Sequence, residues 1–185
     1  PNIISVGGSE MDDTMISWAQ HGAATVDIMA PGRNILTTEY PNGYSYPSGT
    51  SMSAPLVAGV AALIKSHISA ADYTEIKGRL MAGATSVLTA QDHLTTGGRA
   101  DAYGSLTATE TPVITIKSIT VDSSGNGALE AGESVELEIE LENSWATATS
   151  VTASLAIKSG SGYSDLTINT ASATYGTLYE PDTNT

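Results

Sequence analysis

Cysteine is absent from these 185 residues, so neither a disulfide nor a cysteine-based zinc site can hold the fold together. Secretion stays open, because many exported proteins manage without disulfides. Basic residues are scarce: 7 Lys and Arg stand against 20 Asp and Glu, a formal net charge of −13. Nucleic acid and anionic membrane surfaces both need a basic face, so neither is expected as a partner. No run of about 18 apolar residues occurs, which argues against a membrane span. A basic-then-apolar signal peptide is lacking, and Pro1 is not a natural initiator, so the expectation is a trimmed or partial chain. Hydrophobic residues make up 41% of the chain and charged ones 15%, enough for a real core and too apolar for a disordered one.

The charge is unevenly spread. Residues 1–108 carry nine acids and five bases, whereas residues 109–185 carry eleven acids and two bases. Composition changes at the same point, from Gly, Ala and Met to Thr, Ser, Val and Glu. Thr107 to Pro112 is small, polar and closed by proline, which suits a linker. Two domains are expected, 1–108 and 109–185, with no internal repeat.

In the first, Ile3-Ile4-Ser5-Val6 reads as a buried strand stopped by Gly7-Gly8. Ala24 to Ala30 and Ile35 to Thr38 read as two more. Leu56, Val57, Val60, Leu63 and Ile64 recur at helical spacing between Ser53 and Ser66, with Ala and Gly between them; a helix that apolar nearly all round is expected to be buried. Asp72 and Glu75 form a capping box before Ile76, Leu80 and Met81, predicting a second helix, and a short third one is predicted near Asp101–Leu106. Strands mixed with helices at this spacing mean an α/β domain.

Ser48-Gly49-Thr50-Ser51 sits where a loop feeds the first helix. A nucleophilic serine needs an exposed Oγ at a tight turn, and Gly49 gives room for a substrate backbone. A helix N-terminus adds unpaired N–H groups and partial positive charge, which suit a developing oxyanion. On the residues alone, such a turn is more often a plain cap.

Gly49-Thr50-Ser51-Met52-Ser53-Ala54-Pro55-Leu56-Val57-Ala58-Gly59 resembles the serine motif of the subtilisin-like (subtilase) proteases, G-T-S-M-A-x-P-x-V-A-G. Three further stretches agree in order: Ile4 to Gly8, Gly22 through Val26 to Gly32, and Gly97-Gly98-Arg99 to Tyr103. The resemblance covers roughly residues 1–106. It implies the C-terminal part of a subtilisin-like parallel-sheet domain in which Ser51 is the acylating nucleophile and its own N–H an oxyanion donor. Ser48, Gly49 and Thr50 would then line the cleft for a protein or peptide substrate. Ser53 departs from the usual Ala, and Leu56 from a common non-catalytic His. The family's Asp, His and oxyanion Asn would all precede Pro1, so the upstream part of the same protease domain is the implied partner, and this chain alone is expected to be inactive. None of His21, His67 and His93 matches the base position; all three read as exposed or helix-end residues. Asp27 reads as structural, and Trp18, Tyr40, Tyr44 and Tyr46 as packing aromatics, with Tyr44 and Tyr46 near enough in sequence to border the cleft.

In the second part, Ile114–Val121 alternates apolar and polar, and Val135, Leu137, Ile139 and Leu141 alternate with Glu136, Glu138, Glu140 and Glu142. Val151–Ile157 and Leu166–Ile168 continue the pattern, which predicts an antiparallel β-sandwich. It is shorter than the roughly 100 residues of a full one and resembles the Ig-like modules appended to bacterial secreted proteases. Between its first two strands, Asp122, Asn126 and Glu133 fall at oxygen-ligand positions of a calcium-loop template with Gly127 at the turn, so Ca2+ is a candidate structural cofactor. A plain Gly-rich hairpin loop is the alternative.

Two function classes remain. One is a secreted, extracellular, bacterial serine endopeptidase. The other is a non-catalytic secreted binding module in which the sandwich takes protein or polysaccharide. The serine motif favours the enzyme, since a scaffold has no need of it.

Overall fold

A computed structural model describes residues 3–122, 132–157 and 167–179. The first part is a mixed sheet with helices packed on it. Strand β1 (Val6–Ser9) pairs in parallel with β2 (Ile28–Pro31), Val6 opposite Ile28 and Ser9 opposite Pro31. A hairpin follows, β3 (Thr37–Glu39) with β4 (Gly43–Ser45). Then come helices α1 (Thr50–His67) and α2 (Tyr73–Ala82), strand β5 (Thr85–Ser86), a 3₁₀ turn at Leu88–Ala90, strand β6 (Gly98–Arg99) and helix α3 (Ala102–Thr107). The sheet order is β1-β2-β6-β5, with β6 parallel to β2 and β5 antiparallel at the edge.

Local chemistry accounts for the helix starts. Asp72 caps α2 by accepting the Glu75 N–H at 2.9 Å, and Asp101 caps α3 by accepting the Gly104 N–H at 2.8 Å. Both carboxyls are held below the usual range. For Asp72 the Thr74 hydroxyl is the main cause and the Glu75 N–H the next; for Asp101 the Gly104 N–H leads, followed by the Thr85 hydroxyl. Ile28, Ala30, Val57, Ile64 and Leu80 form one buried cluster where α1 and α2 meet the sheet. A second gathers Val26, Met29, Ala90 and Leu94 under the 3₁₀ turn.

The sheet corrects two expectations. The first strand lies three residues later than Ile3–Val6, and Gly7 and Gly8 are inside it. They belong there because a Cβ on Gly8 would stand 3.0 Å from Ile16 Cδ1, so the strand is packed too closely for a larger residue. Gly98 likewise joins a strand, where a Cβ would meet the Thr85 carbonyl oxygen at 2.5 Å; the turn is made instead by Gly97 at φ 58°. Helix α1 also departs from expectation. Only Ser53, Val57 and Ile64 are buried on it, while Leu56 and Leu63 are 42% and 51% exposed. Among the described residues the sheet, α2 and α3 cover one side of this helix, and Leu56 and Leu63, about a quarter turn round it, stay half-exposed.

Beyond residue 112 the chain forms two antiparallel pairs, β7 (Ile114–Asp122) with β8 (Glu136–Asn143), and β9 (Ala148–Ser154) with β10 (Ser172–Leu178). Ile116, Ile119 and Val121 face Leu141, Ile139 and Leu137 across the first pair. A bulge at Lys117 turns its ammonium to Glu140 at 2.6 Å. The Tyr175 hydroxyl, donating to the Ile139 carbonyl at 2.8 Å, links the two pairs. The last strand is Ser172–Leu178; Thr167 and Ile168 are outside any strand, and Leu166 lies outside the described residues.

Candidate active site

The chain enters α1 through Gly49, which is extended (φ 164°, ψ 155°) and has no side chain with which to cap the helix. Ser51 occupies the first turn of α1 and is exposed. A Cβ on Gly49 would lie 2.9 Å from Ser51 Oγ, so glycine keeps the space beside that hydroxyl open. No acidic side chain stands in the first turn, which leaves the positive end of the helix dipole uncompensated next to Ser51. Pro55 lies inside the helix four residues after Ser51. Lacking an N–H, it cannot donate to the Ser51 carbonyl, so that group stands outside the helical ladder.

Three hydrogen bonds hold this turn against the end of β2. Gly49 N–H donates to the Gly32 carbonyl at 2.7 Å, Ser53 Oγ–H to the Pro31 carbonyl at 3.2 Å, and Asn34 N–H to Ser48 Oγ at 2.9 Å. Gly32 N–H in turn donates to the Ser9 carbonyl at 2.9 Å, tying the assembly to β1. A Cβ on Gly32 would be 2.6 Å from Ser53 Oγ and 3.1 Å from the Gly49 carbonyl oxygen, so the close approach requires glycine. Pro31, Gly32 and Asn34 as supports of the serine turn were not foreseen. Nothing local marks such contacts, although the Pro31-Gly32 pair at the end of a strand is their trace in the sequence.

The structure thus brings Ser48, Gly49, Thr50 and Ser51 together at one helix end, above the C-terminal ends of β1 and β2. Crevices at such strand ends are where parallel sheets place their sites. No histidine hydrogen-bonds to Ser51 among the described residues. His67 closes α1 sixteen positions on, about 24 Å of helical rise away. His21 and His93 pack against each other edge to face, their ring centroids 4.8 Å apart, with Gly22 N–H donating to the His93 carbonyl. Asp27 is structural as expected: it accepts the Ser5 N–H at 2.8 Å, and Lys77 stands 3.8 Å away.

The aromatics differ from expectation. Tyr44 is 73% exposed on the hairpin, Tyr40 and Tyr46 are exposed too, and Trp18 is half-exposed beneath the Arg33 guanidinium, 5.9 Å from its ring. The hairpin that bears the tyrosines projects from the sheet and buries little, so packing does not hold them. For the calcium loop, the described residues at its edges are Asp122, which ends β7, and Glu133; Asn126 lies outside the described residues. No group of three or more His, Asp or Glu able to hold a metal occurs among the described residues. Nor, among them, is any helix long and apolar enough to cross a membrane.

The family model of the subtilases matches residues 1–105. A thermophilic serine proteinase of Bacillus sp. (strain AK1) is 46% identical over 66 residues, 36% of this chain and 16% of that protein. Subtilisin BL of Lederbergia lenta is 37% identical over 86 residues, 46% of this chain and 32% of that protein. Among solved structures, the prenylagaramide maturation protease PagA superposes with a TM-score of 0.51 at 28% identity, over 57% of this chain and 42% of that one. A protease from Pseudoalteromonas arctica superposes with a TM-score of 0.51 at 30% identity, over 57% of this chain and 35% of that one. The chain therefore spans a third or less of the length of these curated relatives. A serine motif seated at the start of a helix, a parallel sheet beneath it and a family match across residues 1–105 agree: this chain belongs to the subtilase family of serine proteases.

Proposed function

We propose that this chain belongs to a secreted serine endopeptidase in which Ser51 is the nucleophile. The observation that carries the reading is the exposed Ser51 hydroxyl in the first turn of α1, with the empty Cβ position of Gly49 beside it. Ser51 Oγ attacks the scissile carbonyl of a protein or peptide substrate while a histidine takes its proton. The bond to the leaving amine then breaks as that proton passes to the nitrogen. Water, activated by the same histidine, releases the acyl group and restores the serine. The Ser51 N–H at the positive end of α1 stabilises the oxyanion, and Ser48, Gly49 and Thr50 line the substrate's path.

The base, the carboxylate that orients it and a side-chain oxyanion donor come, in this reading, from residues preceding Pro1. The half-exposed Leu56 and Leu63, and β1, whose one strand neighbour among the described residues is β2, are consistent with an upstream segment packing there. The residues from 109 onward are proposed as a β-sandwich module, and the Asp122–Glu133 loop as its Ca2+ site. For the loop, calorimetric titration with calcium chloride should give saturable heat that Glu133→Gln removes; no heat would leave a plain hairpin loop.

The test of the enzyme reading is hydrolysis of a fluorogenic peptide. The full protease should turn over, and Ser51→Ala should lose on the order of 10⁴ to 10⁶ in kcat. The 185-residue chain alone should not turn over. Full activity in Ser51→Ala would end the reading.

A further inference from the structure

Trp145 is 5% exposed, yet it lies in the short turn between β8 and β9, where an indole would ordinarily meet solvent. What covers it is α2. A Cβ on Gly78 would fall 2.4 Å from Trp145 Cγ and 2.5 Å from Cδ2, so the indole rests directly on the helix backbone where a side chain is missing. The Arg79 guanidinium stands 5.6 Å from the ring. The same group donates to the Ala108 carbonyl at 2.8 Å and holds Glu75 at 2.9 Å, so it also fixes the chain leaving α3.

The turn bearing Trp145 is itself rigidly held. Asn143 is buried with its amide fully used: Oδ1 accepts the Val113 N–H at 3.2 Å, and Nδ2 donates to the Ala146 carbonyl at 2.6 Å and the Leu178 carbonyl at 3.0 Å. Ser144 N–H donates to the Val113 carbonyl at 3.0 Å. The start of β7, the end of β10 and the turn are therefore one unit, and Trp145 is its projecting knob.

We propose that this knob and the Gly78 seat form a fixed joint, through which the residues after 112 brace the helical flank of the protease portion instead of swinging on a tether. The joint lies away from the serine. Helix α2 meets α1 around Ile64, thirteen residues and about 20 Å of helical rise from Ser51. The brace therefore acts on the lifetime of the folded protease and leaves the chemistry alone. It goes beyond the nucleophile assignment and does not depend on it.

The test uses the full protease on a Ser51→Ala background, so that it cannot cut itself, and follows cleavage after the exposed Glu110 by a glutamyl endopeptidase, read by mass spectrometry. Trp145→Ala removes the knob and Gly78→Ala fills the seat. Each should speed cleavage at Glu110 by about tenfold or more, because Arg79, which packs on the indole, also holds the Ala108 carbonyl two residues before that bond, and a protease needs this stretch released. The double variant should be no faster than the faster single one, since both remove the same contact. Trp145→Phe, which keeps a smaller ring, should fall between wild type and Trp145→Ala and guards against simple misfolding. With Ser51 restored, hydrolysis of a short peptide should stay within about twofold of wild type in all variants. Cleavage at the wild-type rate in both single variants, effects that multiply in the double, or a large change in short-peptide hydrolysis would each overturn the joint. Absence of peptide hydrolysis in the wild-type protease would instead refute the Ser51 assignment, and the cleavage data would still decide the joint.

Discussion

At the scale of single residues, the serine turn depends on two glycines for different reasons. Gly49 is extended, a conformation any residue adopts, so Gly49→Ala carries no backbone penalty; its methyl would instead crowd Ser51 Oγ at 2.9 Å. The expected result is a protein with unchanged circular dichroism whose acylation slows by about 10- to 100-fold, the scale of a misplaced reacting atom. Gly32 is a packing requirement. Gly32→Ala forces a methyl against Ser53 Oγ and the Gly49 carbonyl, and should cost about 1–3 kcal/mol in denaturant unfolding as the turn is pushed off β2. Gly49→Ala losing stability while keeping its acylation rate would contradict this division of roles.

At the scale of elements, the helix caps set a pH dependence. Asp72 and Asp101 have carboxyls lowered in the folded state, so their contribution is present above the ordinary carboxylate value of about 4 and is lost as pH falls through the lowered folded values. Thermal unfolding should show stability falling below about pH 4, and less steeply in Asp72→Asn and Asp101→Asn. At neutral pH each Asp→Ala should cost about 1 kcal/mol. In the shared core of α1, α2 and the sheet, Leu80→Ala leaves a cavity at a fully buried position and should cost about 2–5 kcal/mol. These features were legible in the sequence because a cap and a 3.6-residue period are local. Strands β5 and β6 were not: two residues each, β6 exists only because the chain passes beside β2, and β5 only because it passes beside β6. Strand β10 was missed because its large residues, Tyr175 and Leu178, are three apart and bulges interrupt its pairing, so no two-residue alternation marks it.

At the scale of the whole molecule, the family was readable from four ordered motifs, and the structure adds how they meet. Ser51 stood out because Gly49 to Gly59 resembles the family's serine motif; its local residues alone read as a plain helix cap. Its supports at Pro31, Gly32 and Asn34 are seventeen or more residues from Ser51 and visible only in three dimensions. The same holds for Trp145 on Gly78. The expectation that α1 is buried all round failed because periodicity reports what a helix can bury, and the described residues cover one face of it.

The most direct measurement is to label the full protease with a fluorophosphonate and locate the adduct by mass spectrometry after trypsin. Cleavage at Arg33 and Lys65 gives a peptide that holds Ser45, Ser48, Thr50, Ser51 and Ser53 together, so fragmentation can tell them apart. The expected result is one adduct per chain, on Ser51, absent from Ser51→Ala and from protein denatured before labelling. An adduct on another serine, or undiminished labelling of Ser51→Ala, would contradict the account at its centre.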